Sequence, residues 1–328
     1  MAAERGRNPL TAFYPDVRAR MVELTPQDWP EMTRAVEQHI TQFDFPTSVL
    51  LPLATCAAAG GAPEQAVGAA AALGFVLLGI RWLDDAADRD RPDGLWATLG
   101  PARSNLFGAT ALALAYKALA RDGAAPRQAS ESMASHFVAM AKGQDSDIAG
   151  GVRSFDSYWA LMSGKAGAAF AMACGLGAIC AKAGPATVAL LERFGRHLGV
   201  LLQILDDLEG CFRPTGTSDI EQGKVTLPVV YALNLEHERQ SELAALVEDG
   251  ALPRHAARVV DILEAAGARE YCVWAAIEER KRALAVLRNL PRLDGENASA
   301  GRDALASFLE LPFEDLPELS LPATPDRR

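Results

Sequence analysis

The chain has 328 residues, a formal net charge of −10 and a pI near 5.1, and 49% of its residues are hydrophobic. It has no lysine or arginine tract, and this acidic balance argues against nucleic-acid or anionic-membrane partners, because both bind basic surfaces. The five cysteines are an odd number and form no CxxC pair. Buried thiols in a reducing cytoplasm therefore fit better than disulfides or zinc sites.

Alanine and leucine recur at three- and four-residue spacing through most of the chain, and strand-forming residues are sparse. This pattern predicts an all-α protein. The predicted helices span 28–42, 46–59, 63–88, 104–121, 126–145, 154–181, 185–212, 225–246, 253–266, 268–289 and 298–311. Residues 28–311 are predicted to form a single domain, with a flexible N-terminal segment (1–27) and a flexible C-terminal tail (312–328).

No stable membrane anchoring is expected. The N-terminus lacks the apolar core and cleavage region of a secretory signal. The longest uncharged apolar stretch, 66–80, is shorter than the roughly twenty residues that span hydrocarbon. The predicted helices 63–88 and 185–212 are hydrophobic nearly all round, so we expect both to be buried in a helical bundle.

Three carboxylates lie at the end of the first of these helices, in the stretch "RWLDDAADRD". Asp84 and Asp88 are one turn apart and project from one face, with Asp85 beside them. Carboxylates this close repel one another unless cations neutralise them, and oxygen ligands suit Mg²⁺. For an isolated motif, a solvated acidic helix end is the alternative.

A second acidic pair, Asp206 and Asp207, lies near the end of the other apolar helix, with Gln203 one turn before Asp206. If the two helices pack side by side, repulsion between the pairs is tolerable only with metal between them. Lys165 and Lys224 stand in neutral, glycine-containing stretches. Each could be a surface residue, but beside two metal-binding rims we expect them to contact phosphate.

The order "DDAAD", "GQDSDI", "GKAGAAF", "FGRHLGVLLQILDDLEG" and "TSDIEQGKVTLPVVYAL" resembles the consecutive motifs of the trans-isoprenyl diphosphate synthases (polyprenyl synthetases) and of the terpene synthases derived from them. The resemblance covers about residues 40–235. It implies an isoprenoid-synthase (terpenoid synthase) helical bundle around a deep apolar central pocket. It further implies a homodimer and three Mg²⁺ ions that hold an allylic isoprenyl diphosphate between two aspartate-rich helices.

The resemblance also implies roles for individual residues. The metal-binding set is Asp84, Asp85, Asp88, Asp206 and Asp207. Within it, Asp84, Asp88 and Asp206 ligate the ions and the other two support them. The diphosphate contacts and their supports are Lys165, Lys224, Gln203, Asp147 and Arg91. The residues expected to ionise the substrate are Asp84, Asp85, Asp206 and Lys165.

Three residues on the first long helix are expected to line the pocket: Phe75, Gly79 and Ile80. The small Gly79 and medium Ile80 would leave it deep enough for a chain longer than C10. Further aromatic candidates, for each of which plain core packing is the commoner role, are Trp82, Phe137, Trp159, Phe170 and Phe194.

Chain-elongating members of the family bind isopentenyl diphosphate through a Gly-Gly-Lys-Arg-x-Arg-Pro stretch upstream of the first aspartates. Here no lysine or arginine occurs between Arg34 and Arg81, and residues 43–46 read "FDFP". Such a stretch cannot compensate for the desolvation of an anionic diphosphate. Two further departures are Gly210, where the family has an acid, and Ala166, where it has threonine.

These features lead us to expect an enzyme that ionises a C15–C25 allylic isoprenyl diphosphate with Mg²⁺ and then cyclises or rearranges it. It would be a class I terpene synthase, a lyase that releases diphosphate. The open alternatives are prenyl transfer to a neutral acceptor, chain elongation with isopentenyl diphosphate, and a non-catalytic partner subunit of such a synthase.

Overall fold

The computed structural model describes residues 9–42, 46–88, 93–122, 125–148, 152–213 and 218–314. All regular secondary structure in these ranges is helical, as predicted. The α-helices are α1 (Tyr14–Leu24), α2 (Pro30–Gln42), α3 (Pro46–Ala58), α4 (Val67–Asp88), α5 (Leu95–Leu99), α6 (Pro101–Asp122), α7 (Pro126–Ile148), α8 (Phe155–Gly164), α9 (Ala166–Cys180), α10 (Pro185–Cys211), α11 (Leu227–Asn234), α12 (Gln240–Glu248), α13 (Ala256–Ala265), α14 (Ala268–Asn289) and α15 (Glu296–Glu314).

Helix α1 lies in the segment 1–27, whose expected flexibility stays a prediction. Its apolar residues Val17, Met21 and Leu24 recur every three or four positions, and each is at most 1% exposed. Burial of this helix face stabilises α1. Two single predicted helices are also broken: 154–181 divides at Lys165, and 225–246 divides between α11 and α12.

The chain divides into two compact units, each built from three separate stretches of sequence. The first unit comprises 1–135, 172–192 and 289–308. The second unit comprises 136–171, 193–288 and 309–328. Because both units are discontinuous, no linker in the sequence could mark the division, and the single domain expected for 28–311 stays a prediction.

In the first unit, α4 and α6 approach each other closely through two glycines. A Cβ atom on Gly79 would lie 2.9 Å from the carbonyl oxygen of Gly108, and one on Gly108 would lie 2.8 Å from Leu83 Cγ. One turn further along, the Ser104 hydroxyl donates a hydrogen bond to the Trp82 carbonyl oxygen at 2.9 Å. The glycines and this hydrogen bond fix the register of the helix that carries the first aspartates.

The second unit has its own apolar core, which gathers the end of α10 with α11, α12 and α13. Its fully buried members include Cys211, Ile220, Val229, Leu243 and Ile262. Across the chain all five cysteines are buried and free, which confirms the prediction of buried thiols. Burial raises the pKa of the Cys56 thiol to about 12 and that of Cys180 to about 11, so these groups are protonated and unreactive.

Two stretches are long and apolar enough to be tested as membrane spans, Pro63–Ala87 and Phe155–Cys180. Most of the 18-residue apolar window in each stretch, 72% and 67% respectively, is buried inside the protein. Both therefore have the character of core helices, as expected for the first of them from its sequence.

Candidate active site

Helix α10 presents the second acidic motif within the second unit. The Gln203 side chain lies one turn before the acids, and its Nε2 donates to Asp207 Oδ1 at 2.9 Å and to Asp206 Oδ2 at 3.3 Å. Asp207 is only 3% exposed, whereas Asp206 faces outward. The two neighbouring carboxylates therefore have different roles: Asp207 is an internal acceptor, and Asp206 is available to a ligand.

Asp207 is held by three donors from three parts of the unit. Besides Gln203, the Tyr158 hydroxyl donates to Asp207 Oδ2 at 2.7 Å, and the backbone N–H of Leu227 donates to the same oxygen at 3.0 Å. Burial raises the pKa of Asp207 to about 6, although the three hydrogen bonds act in the opposite direction. At neutral pH the side chain is thus a buried carboxylate that ties α8, α10 and α11 together.

Asp206 stands at the wall of a cavity. Desolvation there and the negative charge of Asp219 raise the pKa of the Asp206 carboxyl above its usual value. Such a pair of carboxylates is relieved when a cation binds. The Asp206 carboxylate is thus a possible oxygen ligand for a cation, in a site that favours positive charge.

Lys165 lies at the break between α8 and α9, with φ −93° and ψ −86°. A Cβ on Gly143 of α7 would lie 3.2 Å from the Lys165 backbone nitrogen, a contact tighter than most, so the glycine lets α7 pass close to the chain here. On the other side, a Cβ on Gly199 of α10 would overlap the Ala166 carbonyl oxygen. These two close approaches set Lys165 beside the α10 face that carries Gln203.

Lys224 and Asp219 belong to the turn that follows α10. The Asp219 N–H donates to the Gly210 carbonyl oxygen at 3.0 Å, and the Lys224 N–H donates to the Asp219 carbonyl oxygen at 2.9 Å. The Lys224 ammonium lies 3.4 Å from Asp219 Oδ1. Gly223 has φ +77°, a conformation that favours glycine, and it completes the turn just before Lys224.

These side chains line one cavity of about 770 Å³ within the second unit. Its polar lining includes Lys165, Gln203, Asp206, Asp219, Lys224 and Arg153. Sequence reasoning missed Arg153 and Tyr158. Among the residues that the structure describes, no carboxylate lies within ion-pairing distance of the Arg153 guanidinium. The cavity thus combines an acidic wall with three cations, as a site for a metal-bound anion requires.

The carboxylate oxygens of this cavity are the type of ligand that the expected Mg²⁺ prefers. No three His, Cys, Asp or Glu side chains form a ready-made cage in the described parts of the chain. Mg²⁺ does not need one, because it keeps several waters and is usually bound through one or two carboxylates together with substrate phosphates. Asp206 and Asp219, beside the cations of the same cavity, meet that requirement.

The first acidic motif lies in the last turns of α4, in the first unit. Asp85 is 4% exposed, and its Oδ2 lies 3.8 Å from the Arg81 guanidinium. Asp84 precedes it at the partly exposed edge of the helix. The His39 ring packs edge-on against the Trp82 ring, with 5.4 Å between the ring centroids. Burial lowers the pKa of His39, so its imidazole is neutral at pH 7.

Several predicted residues lie wholly or partly outside the description. Arg91 and residues 43–45 are outside the described ranges. For Asp88 and Asp147 the structure describes the backbone but not the side chain, so their expected roles stay predictions.

The residues expected to set pocket depth are placed on α4. Phe75 is fully buried in the core of the first unit, and Ile80 is partly exposed. Gly79 faces α6, which gives a packing reason for a glycine at that position. Trp159 of the second unit lines a separate cavity of about 380 Å³ with His197 and Trp274.

Comparison with known proteins decides the family. Residues 84–264, more than half of the chain, match the model of the polyprenyl synthetases. The chain belongs to the polyprenyl synthetase family. As a polyprenyl synthetase it is an enzyme of the isoprenyl diphosphate synthase, or prenyltransferase, type, and the resemblance seen in its motifs is confirmed.

This polyprenyl synthetase is similar over most of its length to two named relatives and one solved structure. The (2E,6E)-farnesyl diphosphate synthase of Mycobacterium tuberculosis is 32% identical over 248 residues, covering 68% of this chain and 67% of the relative. The short chain isoprenyl diphosphate synthase of Methanothermobacter thermautotrophicus is 29% identical, covering 91% and 94%. The crystal structure of a polyprenyl synthetase from Streptomyces coelicolor is 26% identical, covers 92% and 96%, and superposes with a TM-score of 0.77.

The relatives bear on the expected reaction as well as on the fold. The all-helical isoprenoid-synthase fold is confirmed. The names of the relatives favour the prenyltransferase alternative over the terpene cyclisation expected first from the sequence, and they give the lyase expectation no support.

Proposed function

We propose that this polyprenyl synthetase is a Mg²⁺-dependent prenyltransferase that ionises a C15–C25 allylic isoprenyl diphosphate and transfers the prenyl group to an acceptor. The observation that carries the proposal is the cavity of the second unit, in which Asp206 lies together with Lys165 and Lys224. An acidic edge beside cations is the arrangement that a metal-bound diphosphate needs.

The chemistry requires stabilisation of the leaving group. Cleavage of the allylic C–O bond leaves its electron pair on the diphosphate, whose charge the ammonium groups of Lys165 and Lys224 and the Arg153 guanidinium offset. Bound Mg²⁺ would supply further positive charge to the same oxygens. Asp207 has a supporting role: it accepts hydrogen bonds from Gln203 and Tyr158, and these bonds hold the turn of α10 that carries Asp206. It does not need to touch the substrate for this.

For the acceptor, the names of the relatives favour isopentenyl diphosphate and hence chain elongation. Both relatives named above are isoprenyl diphosphate synthases. We therefore take chain elongation as the first candidate for this chain.

Intramolecular cyclisation is the second candidate, and a specific feature favours it. The sequence has no lysine or arginine between Arg34 and Arg81. The histidine in that interval, His39, is buried, and its lowered pKa keeps it neutral. A second diphosphate would find no cation from this segment, whereas a reaction within one substrate, or transfer to a neutral acceptor, needs none.

Product analysis separates the candidates. The purified protein is incubated with Mg²⁺ and geranyl, farnesyl, geranylgeranyl or geranylfarnesyl diphosphate, each with and without isopentenyl diphosphate. Chain elongation predicts a longer diphosphate only when isopentenyl diphosphate is present. A hydrocarbon or terpene alcohol from the allylic substrate alone would contradict elongation and support cyclisation. Diphosphate release only with an aromatic or other neutral acceptor would instead support the neutral-acceptor reaction.

We further propose a homodimer that acts in the cytoplasm, without a nucleic-acid partner or stable membrane anchoring. The dimer follows from the family resemblance, and the compartment from the reduced, buried thiols.

A further inference from the structure

A second cavity of the second unit is lined by residues of α8, α10 and α14. Its volume is about 380 Å³, which is within the range of small-molecule sites. No described residue lines both this cavity and the 770 Å³ cavity that holds Asp206. The proposed diphosphate chemistry therefore does not account for it.

Large aromatic side chains line this cavity: Trp159 from α8, and Tyr271 and Trp274 from α14. The ring centroids of Tyr271 and Trp274 are 5.6 Å apart, and the ring planes are inclined by 36°. Trp274 is 41% exposed, so much of its indole ring remains in contact with solvent. A flat apolar ligand that covers these rings would gain binding free energy from the buried area and from ring contacts.

The carboxylates at this cavity already have partners. Glu279 is only 5% exposed, and its Oε2 lies 2.7 Å from His197 Nδ1. The same carboxylate also pairs with the Arg282 guanidinium. Glu278 Oε1 lies 2.8 Å from the Lys281 ammonium. Neither carboxylate therefore requires a cation from a ligand.

Arg196 differs from these paired groups. Its Nη1 donates a hydrogen bond to the Ser163 carbonyl oxygen at 3.2 Å. A Cβ on Gly167 of α9 would lie 3.1 Å from Arg196 Cγ, so the side chain packs closely against that glycine. Within the described part of the chain, the Arg196 guanidinium has no ion-pair partner. Since a guanidinium can bind a carboxylate through two parallel hydrogen bonds, Arg196 offers this cavity a place for one.

We propose that this cavity is a second ligand site, which binds a planar aromatic carboxylate with its ring against the aromatic side chains and its carboxylate on Arg196. One unpaired cation suits a single negative charge. A diphosphate would bring more negative charge close to Glu278 and Glu279, whose repulsion would oppose it. A cationic ligand would be repelled by Arg196 in the same way. The inference goes beyond the proposed function and does not depend on it.

Isothermal titration calorimetry with matched indoles tests the roles of charge and ring. Indole-3-acetate carries the carboxylate, indole-3-acetamide is its neutral analogue of similar shape, and tryptamine carries a positive charge. Each is titrated into the whole chain as wild type, Arg196→Gln and Trp274→Leu. Arg193→Gln is the matched control, because Arg193 is an exposed arginine one turn earlier on α10 that does not line the cavity. Circular dichroism verifies the fold of each variant.

We expect the wild type to bind indole-3-acetate about tenfold more tightly than indole-3-acetamide, because only the acetate forms a charge-assisted pair with Arg196. Tryptamine should bind more weakly than either. Arg196→Gln should bind the acetate and the acetamide equally. Trp274→Leu should weaken the binding of both by about threefold to tenfold and keep the preference for the acetate. Arg193→Gln should bind all three ligands as the wild type does.

Three results would overturn the inference. The first is a wild type that does not bind indole-3-acetate. The second is wild-type binding of the acetamide or tryptamine that is as tight as binding of the acetate. The third is a preference for the acetate that Arg196→Gln retains, because the ligand would then lie elsewhere. None of these results bears on prenyl transfer, which the product analysis tests separately.

Discussion

The Tyr158 hydroxyl donates a 2.7 Å hydrogen bond to a buried carboxylate, and its removal gives a measurable loss. Tyr158 is 1% exposed and Asp207 is 3% exposed, so water cannot readily replace the donor in Tyr158→Phe. A buried hydrogen bond to a charged group contributes about 1.5–3 kcal/mol. We expect Tyr158→Phe to lower the free energy of unfolding by that amount when Asp207 is ionised.

The loss should depend on pH. The pKa of Asp207 is about 6, and the bond from Tyr158 lowers it. The extra stability from this bond is therefore present above about pH 6 and declines as the carboxyl becomes protonated below it. Urea unfolding followed by tryptophan fluorescence, in chelator at about pH 7.5 and about pH 5, measures both values.

Tyr231→Phe is the matched control. Tyr231 stacks on Tyr271 at 4.2 Å, and its hydroxyl has no hydrogen-bond partner among the residues that the structure describes. Its removal should cost less than about 0.5 kcal/mol at either pH. An equal loss for Tyr158→Phe at both pH values, or no loss at all, would refute the role assigned to the hydrogen bond.

Three further predictions concern packing, charge and assembly. Gly79→Ala should lower the free energy of unfolding by about 1–3 kcal/mol, because its Cβ crowds the Gly108 carbonyl oxygen. The control is Gly164→Ala, whose Cβ meets nothing closer than 3.7 Å. Equal losses in the two variants would contradict the crowding. Burial raises the pKa of Asp207 from 3.8 to about 6, so in chelator the folded protein gains stability as pH falls from about 6 to about 4. This gain is about 3 kcal/mol of unfolding free energy, and Asp207→Asn should remove it. An unchanged pH profile of stability would contradict this reasoning. Light scattering tests the proposed homodimer: we expect the mass of two chains, and a monomeric wild type would contradict the dimer.

Long helices bounded by glycine or proline could be predicted from the sequence. Helix α14 was predicted as 268–289 and spans Ala268–Asn289, and α10 was predicted as 185–212 and spans Pro185–Cys211. The break at Lys165 was not predicted, although Ser163 and Gly164 directly precede it and glycine disfavours a helix interior. At this break α7 approaches the chain closely through Gly143.

The sequence predicted the charged residues of the candidate site but not the groups that hold them in place. Acids and lysines stand out within apolar stretches, so Asp206, Lys165 and Lys224 were found. Tyr158 and the Leu227 N–H were not, because a buried tyrosine and a backbone donor carry no sequence signature. They lie 49 and 20 residues from the Asp207 they contact, so only the folded chain brings them to it.

Gly79 shows how one residue can satisfy two different explanations. The sequence suggested that its small size leaves a deep pocket, whereas the structure shows its missing side chain at the crossing of α4 and α6. A glycine is required by the crossing whatever the pocket depth. Substrate length is therefore better tested at Ile80, which is partly exposed.

The central claim is that the acidic wall of the second unit's cavity acts on an allylic diphosphate. Its most direct test is the rate of diphosphate release from farnesyl diphosphate with Mg²⁺ and isopentenyl diphosphate, compared between the wild type and Asp206→Ala. The cavity-facing position of Asp206 predicts that turnover is abolished while circular dichroism and the melting temperature stay those of the wild type. Full activity in Asp206→Ala would contradict the claim.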